Sequence, residues 1–420
     1  MAEFDILIVG ATGEEYSTLS EHLSKTTPGY TAQLVIQHLL KNHSDIKIAL
    51  AARSLSKLDD IRSKLNVPPS VKSISIPDLS VYSEELDAIV SQSKVVLSMA
   101  GPYALYGLSV ATACAKTGVH FVDINGEGPS YYIKLVKQLS YKASQTGSLL
   151  VPSTGLDSLP SDIAVFKSVK GLRDNGVYAD INYSHNTFSG LIKGASGGTI
   201  ASLLTMFDKT SPTQMKSYNS DVWALAPEAQ SDRASLQNDE KMVFYDKTVQ
   251  KWGTPWLLGP HNVRVVYRSA ALLPQLYSKT FKYTETLSHN SFIQALIRGV
   301  LMAVGGFLFA TFPWFRSVVA KYAPQPGSGP TPEQDAACRL VLDNTTKTVD
   351  GHVMHTHVTA RGHAGYSLTA VMASEVALLL AKGDASKEGG VYTPASALGE
   401  TLVDELHKYG DFNFTSKLLK

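Results

Sequence analysis

The stretch FDILIVGATG, Phe4 to Gly13, reads as an apolar strand that runs into a glycine turn. A strand followed by Gly-x-x-Gly at a helix entrance lets bare backbone approach a pyrophosphate, which the helix N-terminus holds with unpaired N–H groups. Here the helix does not follow at once. The polar segment EEYSTLSEHLSKTTPG, Glu14 to Gly29, intervenes, and helical spacing resumes at Tyr30-Thr31-Ala32. Without those 16 residues the text reads DILIVGATGYTAQLVIQHLL, and the distance from Gly10 to Arg53 falls from 43 positions to 27. A βαβ unit needs the shorter figure, since the residue that reads the ribose lies about 20 positions past the turn.

The junctions fit a splicing event. A codon pair GGT-GAA for Gly13-Glu14 carries a GT donor, and CCA-GGT for Pro28-Gly29 carries an AG acceptor. Excision of 48 nucleotides would then restore a single glycine codon in frame. Residues 14–29 are read, as a hypothesis, as a translated retained intron; a genuine inserted loop is the alternative.

Outward from this stretch, apolar runs recur at Ile46 to Ala52, Val71 to Ile76, Val95 to Met99, His120 to Ile124 and Ser148 to Val151, with helical spacing between them. Strands alternating with helices, several apolar on both faces, predict a doubly wound parallel sheet of Rossmann type over residues 1–165. From there the pattern changes. Val177 to Tyr183, Val263 to Arg268 and Thr348 to Val358 read as strands of an antiparallel or mixed sheet, so an α+β substrate domain is expected over 166–380. Residues 381–420 are expected to form a C-terminal helix, entered at Pro394, that packs back on the first domain.

Composition sets the limits. At 420 residues with 44% hydrophobic content the chain can fill two or three domains. A net charge of +1 provides no global field for nucleic acid, and two cysteines are too few for a disulfide framework. The N-terminus has acids at Glu3 and Asp5 and enters a strand directly, with no basic and then apolar leader, so an intracellular, cytoplasmic protein is expected. One segment stands apart: Arg298 to Arg316 holds 17 consecutive uncharged residues, with Gly305, Gly306 and Pro313 among them. It reads as a buried core helix, as an interfacial hairpin anchored by Phe312, Trp314 and Phe315, or as a membrane span.

The strand ends carry the chemistry. After the second strand stand Arg53, Ser54 and Lys57, where an NAD enzyme would place a carboxylate for the ribose. A guanidinium, a hydroxyl and an ammonium suit a 2′-phosphate, so NADP(H) is the expected cofactor, with a plain basic turn as the alternative. Gly10, Ala11, Thr12, Gly13, Tyr30 and Thr31 would hold the pyrophosphate; Ala100, Gly101 and Pro102 let the fourth strand pass close to it. Tyr103 and Asp157 are the candidate catalytic residues, each with a structural alternative: packing for the tyrosine, helix capping for the aspartate. His355 and His357 share a strand face, but without convergent partners no metal is expected.

Taken together, Gly10-Ala11-Thr12-Gly13 with Tyr30-Thr31, Ala52-Arg53-Ser54, Gly101-Pro102-Tyr103, Gly126-Glu127 and Gly155-Leu156-Asp157-Ser158 resemble the saccharopine dehydrogenase-like oxidoreductases. The branch meant includes the trans-acting enoyl reductases, and the likeness continues through Ser196-Gly197-Gly198-Thr199, Pro326 to Pro330 and Gly389 to Pro394. His363-Ala364-Gly365-Tyr366 stands where the branch has Asp-Pro-Gly-Tyr, and Ala32 replaces a third glycine. The resemblance implies an NADP-dependent reductase of C=C or C=N bonds in lipid, polyketide or other secondary metabolism. A non-catalytic scaffold at a membrane or lipid droplet is the contrasting expectation. The implied partners are a small-molecule or acyl substrate, a membrane or lipid-droplet surface, and a second copy in a homodimer, with no nucleic acid. The mature transcript is expected to lack the 48 nucleotides for Glu14 to Gly29; finding them in the sole mRNA form would sink that idea.

Overall fold

The structure, a computed structural model, describes residues 2–11, 29–191, 196–227, 242–323, 329–385 and 387–419. Thr12, Gly13 and all of the 14–29 segment except Gly29 thus lie outside the described residues. The first domain alternates β1 (Phe4–Val9), α1 (Tyr30–Asn42), β2 (Ile48–Ala52), α2 (Leu55–Leu65), β3 (Lys72–Ser75), α3 (Glu84–Val90), β4 (Ser93–Ser98), α4 (Tyr103–Thr117), β5 (His120–Asp123), α5 (Ile133–Thr146) and β6 (Leu149–Val151). The central strands are buried on both faces, β2 at all five positions, which is why their text is apolar without alternation, while edge strand β3 is partly exposed. Helix α1 buries Ala32, Val35, Ile36 and Leu39, the i, i+3, i+4, i+7 stripe that its sequence displays.

The second domain contains α6 (Leu159–Asp174), β7 (Ile181–Phe188), α7 (Gly197–Lys209), α8 (Pro212–Ser220), β8 (Phe244–Asp246), β9 (Lys251–Thr254), α9 (Gly259–Leu272) and β10 (Tyr283–His289). Then come α10 (Phe292–Thr311), α11 (Pro313–Tyr322), α12 (Pro332–Ala337), β11 (Arg339–Thr348) and β12 (Val353–Arg361). The chain closes with α13 (Ser367–Lys382), β13 (Gly390–Val391), α14 (Pro394–Tyr409) and β14 (Asn413–Leu418). One seven-stranded sheet runs β13-β6-β5-β4-β1-β2-β3, all parallel. The other runs β14-β12-β11-β7-β10-β9-β8, antiparallel except for the β7–β10 pair.

Several expected elements shift. Val263 to Arg268 is not a strand but the middle of α9, which starts at a first-turn proline and is buried at nearly every position, so no face shows a period. Val177 to Tyr183 holds only the start of β7, because Val177 still closes α6 through its N–H to Leu172 at 3.0 Å. Thr348 to Val358 spans a hairpin turn between two antiparallel strands. The return to the first domain begins before residue 381: α13 already packs on α1, β4 and β5, and β13 joins the parallel sheet beside β6. The last strand, β14, then goes back to pair with β12 in the second sheet. The 298–316 segment is no core helix; Phe312 breaks it into α10 and α11, and most of its apolar side chains are exposed.

The packing of α13 on α1 includes a buried carboxylate. Glu375 Oε1 sits 2.6 Å from His38 Nε2 and 3.0 Å from His43 Nε2. Burial alone would raise this carboxyl, but the two imidazoles outweigh it and hold it below its ordinary value of 4.5. Its contribution to stability is therefore present at neutral pH and is lost as pH falls through and below that value. Glu375→Ala should lower the unfolding free energy by roughly 3 kcal/mol, read as a lower urea midpoint at neutral pH.

Candidate cofactor and substrate cleft

A cleft of about 490 Å³ opens where β1, β4, β5 and β6 end, walled on the other side by α7, α8 and the start of α9. That is the address of ligands in an open parallel sheet, at the point where strand order reverses between β1 and β4. Gly10 lies there with φ +81°, and a Cβ on it would fall 2.6 Å from the Ala100 nitrogen. Only glycine allows the two strand ends to come this close. Ala11 is fully buried beside it. Gly101 and Tyr103 line the cleft together with Tyr30 and Thr31 of α1, and Pro102 is the N-cap of α4.

The residues present fit a dinucleotide phosphate. The first turn of α1 contains no acidic residue, no side chain among the described residues caps its N-terminus, and Gly29, Tyr30, Thr31 and Ala32 line the cleft. At the end of β2, Ser54 caps α2 by accepting from the Lys57 N–H at 3.4 Å, which draws Arg53, Ser54 and Lys57 into one turn. The Arg53 guanidinium carbon stands 6.0 Å from the Tyr106 ring centroid, tying this turn to α4. These three residues lie outside the cleft lining, one strand along, as the adenosine end of a bound dinucleotide requires. The hydroxyl of Tyr30 donates to the Pro330 carbonyl at 2.7 Å, and its ring meets Tyr366 edge-on at 5.4 Å, so the second domain docks on the start of α1.

Two carboxyls face the cleft from the strand ends. Glu127 accepts from the backbone N–H groups of Tyr103 at 2.9 Å and Ala104 at 2.7 Å, so it occupies the N-terminus of α4. Burial pushes it up to about 7 despite these bonds. Asp157 precedes α6 and does not cap it; the N-cap is Ser158. Its carboxylate lies against bare Gly126, where a Cβ would be 2.5 Å from Oδ2, and it has no hydrogen-bond partner among the described residues. Burial, with nothing to oppose it, raises Asp157 to about 6. Near neutrality this group can exist as either acid or base.

Tyr103 is placed differently. It lines the cleft with its ring, but its hydroxyl donates to the Ser98 carbonyl at 3.0 Å, and burial raises its pKa well above the ordinary value. The phenol is thus engaged as a brace between strand ends. Sequence reading missed Glu127 as more than a motif letter and missed His261 altogether. His261, on α9, lies 3.1 Å from Ser153 Oγ through Nε2 and 3.4 Å from the Tyr218 hydroxyl through Nδ1. Burial lowers it to about 3, so it serves as a neutral imidazole. His355 and His357 both pair with Asp343, at 3.1 and 2.7 Å, on the neighbouring strand.

Comparison with known proteins agrees with this geometry. Residues 28–151 match the saccharopine dehydrogenase NADP binding domain family. A trans-acting enoyl reductase of Mycobacterium ulcerans is 29% identical over 97% of this chain and 96% of its own length. Another from Mycobacterium tuberculosis is 27% identical over 99% and 98%. Among solved structures, saccharopine dehydrogenase (L-Glu forming) from Saccharomyces cerevisiae shares the fold at TM-score 0.54 and 14% identity, covering 99% of this chain and 100% of that one. Homospermidine synthase from Legionella pneumophila in complex with NAD does so at 0.52 and 10%, covering 98% and 92%.

Besides buried Asp123, four carboxyls have folded values above their free ones: Glu127 and Glu285 at about 7, Asp157 and Asp162 at about 6. The folded state therefore retains protons that the unfolded chain releases, and stability declines as pH rises through these values. The denaturant midpoint should fall between about pH 5 and about pH 8, and Glu127→Gln should reduce that fall; an equal slope in the variant would contradict it.

Proposed function

We propose that this saccharopine dehydrogenase-like oxidoreductase uses NADPH, in preference to NADH, to reduce the C=C bond of an acyl substrate lying in the cleft. The observation that carries the reading is the Asp157 carboxyl, without a hydrogen-bond partner among the described residues and poised near neutrality in the cleft that Gly101, Gly126 and Tyr30 also line. The cofactor, when bound, supplies a hydride. When hydride adds to the β-carbon of an enoyl group, the α-carbon must take a proton, and Asp157 is assigned to give it because Glu127, the other carboxyl in the cleft, is engaged by the Tyr103 and Ala104 N–H groups. Tyr103 fixes the strand ends through Ser98, and His261 with Ser153 holds the opposite wall. The names of the relatives, which are enoyl reductases over nearly their whole length, favour C=C over C=N chemistry.

The preference for NADPH rests on Arg53, Ser54 and Lys57. Arg53→Ala should weaken NADPH binding about 10- to 100-fold, as loss of a charge-assisted bond to phosphate does, and leave NADH binding unchanged. Equal loss for both cofactors would remove the 2′-phosphate assignment. Asp157→Asn should cut turnover of an enoyl thioester about 100-fold or more, followed by NADPH absorbance, with NADPH affinity retained. Both experiments use the chain lacking Glu14 to Gly29. Glu14 and Glu15 would set carboxylates at the turn that receives a pyrophosphate, so the uninterrupted chain should bind NADPH and the longer one bind it poorly or not at all; equal affinity would refute that expectation.

A further inference from the structure

We infer that α10 and α11 form an in-plane anchor on an anionic lipid surface, and that the cleft receives its acyl chain from that surface past α7. The second clause rests on the substrate reading above; the first does not.

Helix α10 has a mean hydropathy of 1.9 over its most apolar window, yet only 17% of that window is buried. Ala295, Gly299 and Phe309, the buried positions, follow one stripe along the helix, with Gly299 against Met242 and Thr254 and the Phe309 ring 5.1 Å from Phe207. The opposite side is bare: Ile293, Ile297, Leu301, Val304 and Phe307 are exposed, Leu301 by 66% and Phe307 by 60%. A helix attached to its domain along one stripe cannot cross a bilayer without carrying the domain with it. It can lie in the interface with its free side in the acyl region. After the break at Phe312, α11 adds Trp314 and Val318 to the same exposed apolar set.

Charge selects the occupant. From Phe292 to Tyr322 the chain has Arg298, Arg316 and Lys321 and no acidic residue, in a protein whose totals are balanced at 38 and 37. Arg316 is turned inward to Asp208 and the Phe309 carbonyl, which leaves exposed Arg298 and Lys321 beside the aromatic and aliphatic face, and that fits a lipid surface carrying anionic headgroups. The face is also joined to the cleft. Helix α7 lines the cleft with Leu203, Met206 and Phe207, while Phe207 packs on Phe309 and Asp208 lies 3.7 Å from Arg316. One helix therefore separates the lipid-facing hairpin from the apolar wall of the site.

The test is flotation of the full chain with vesicles of phosphatidylcholine containing about 30% phosphatidylglycerol, compared with phosphatidylcholine alone. Binding should be roughly tenfold stronger to the anionic vesicles and should fall about tenfold or more in the double variant Ile297→Glu, Leu301→Glu. Those side chains are exposed, so the variant should keep the thermal midpoint. Arg298→Glu should abolish the preference for anionic lipid without removing all binding. A protein that stays with the soluble fraction at either composition overturns the anchor, as does a dimer that the double variant dissociates. Flotation is repeated with the chain lacking Glu14 to Gly29, and turnover of a short, water-soluble enoyl thioester is measured on that chain alongside. Turnover without flotation removes the anchor and leaves the reductase reading; flotation without turnover does the reverse, and removes the acyl route through the cleft.

Discussion

The cleft depends on one buried carboxylate, Asp123 at the end of β5. It accepts from the Asn125 N–H at 3.0 Å, the Asn125 side chain at 2.6 Å, the Ser153 N–H at 2.9 Å and the Tyr131 hydroxyl at 2.9 Å. Burial raises its pKa, and these donors offset part of that rise. Each donor then positions a part of the site. Ser153 reaches His261, Asn125 accepts from the Glu127 N–H at 3.3 Å, and Tyr131 stacks on Tyr103 at 5.7 Å. A carboxylate so placed is high in stakes: fully partnered it fixes the ends of β5 and β6, and partly partnered it would carry an uncompensated buried charge.

A second carboxylate plays the matching part in the other domain. Glu285 on β10 accepts from Trp256 at 2.6 Å, Asn262 at 2.8 Å, Ser161 at 2.7 Å and Tyr283 at 2.7 Å. It links α6, α9 and β10, the elements that place His261 and Asp157 on facing walls. Asp162, on the first turn of α6, accepts from Ser269 of α9 and from the Ala395 N–H at 2.8 Å, so α14 is fastened to the same place. The two sheets are therefore held around the cleft by polar contacts at the N-terminal end of α6, while apolar packing fills the rest.

Much of this was legible in the sequence, for physical reasons that differ by element. The parallel sheet could be read because strands buried on both faces are continuous apolar runs, as in Ile48 to Ala52. The nucleotide turn could be read because a close approach needs glycine, and Gly10 against Ala100 is that approach. Helix α9 could not be read: with every side of VRVVYRSA buried between the domains, its β-branched residues mimic a strand. His261, at its start, was hidden with it. Glu127 and Asp157 were visible as letters, but their value lies in what surrounds them. Asp157 could equally have capped α6, and only its place against Gly126 shows that it faces the cleft instead. The exposure of α10 was equally hidden, since composition alone does not distinguish a core helix from an uncovered one.

The interruption after Gly10-Ala11 marks where folding and binding part company. β1 pairs with β4 from Phe4 to Val9 and with β2 from Ile6 to Val9, a complete set of partners for a central strand. α1 buries its stripe from Ala32 to Leu39 and ties His38 and His43 to Glu375. These contacts are made among the described residues, so the sheet and its covering helix are specified on either side of the interruption. Pyrophosphate binding is another matter, because backbone N–H groups at a strand–helix junction, not buried side chains, meet the phosphates. Burial of the β1 and α1 side chains stands on the strand and the helix themselves, whereas phosphate binding depends on the backbone between them, so core packing and cofactor binding place separate demands on this part of the chain.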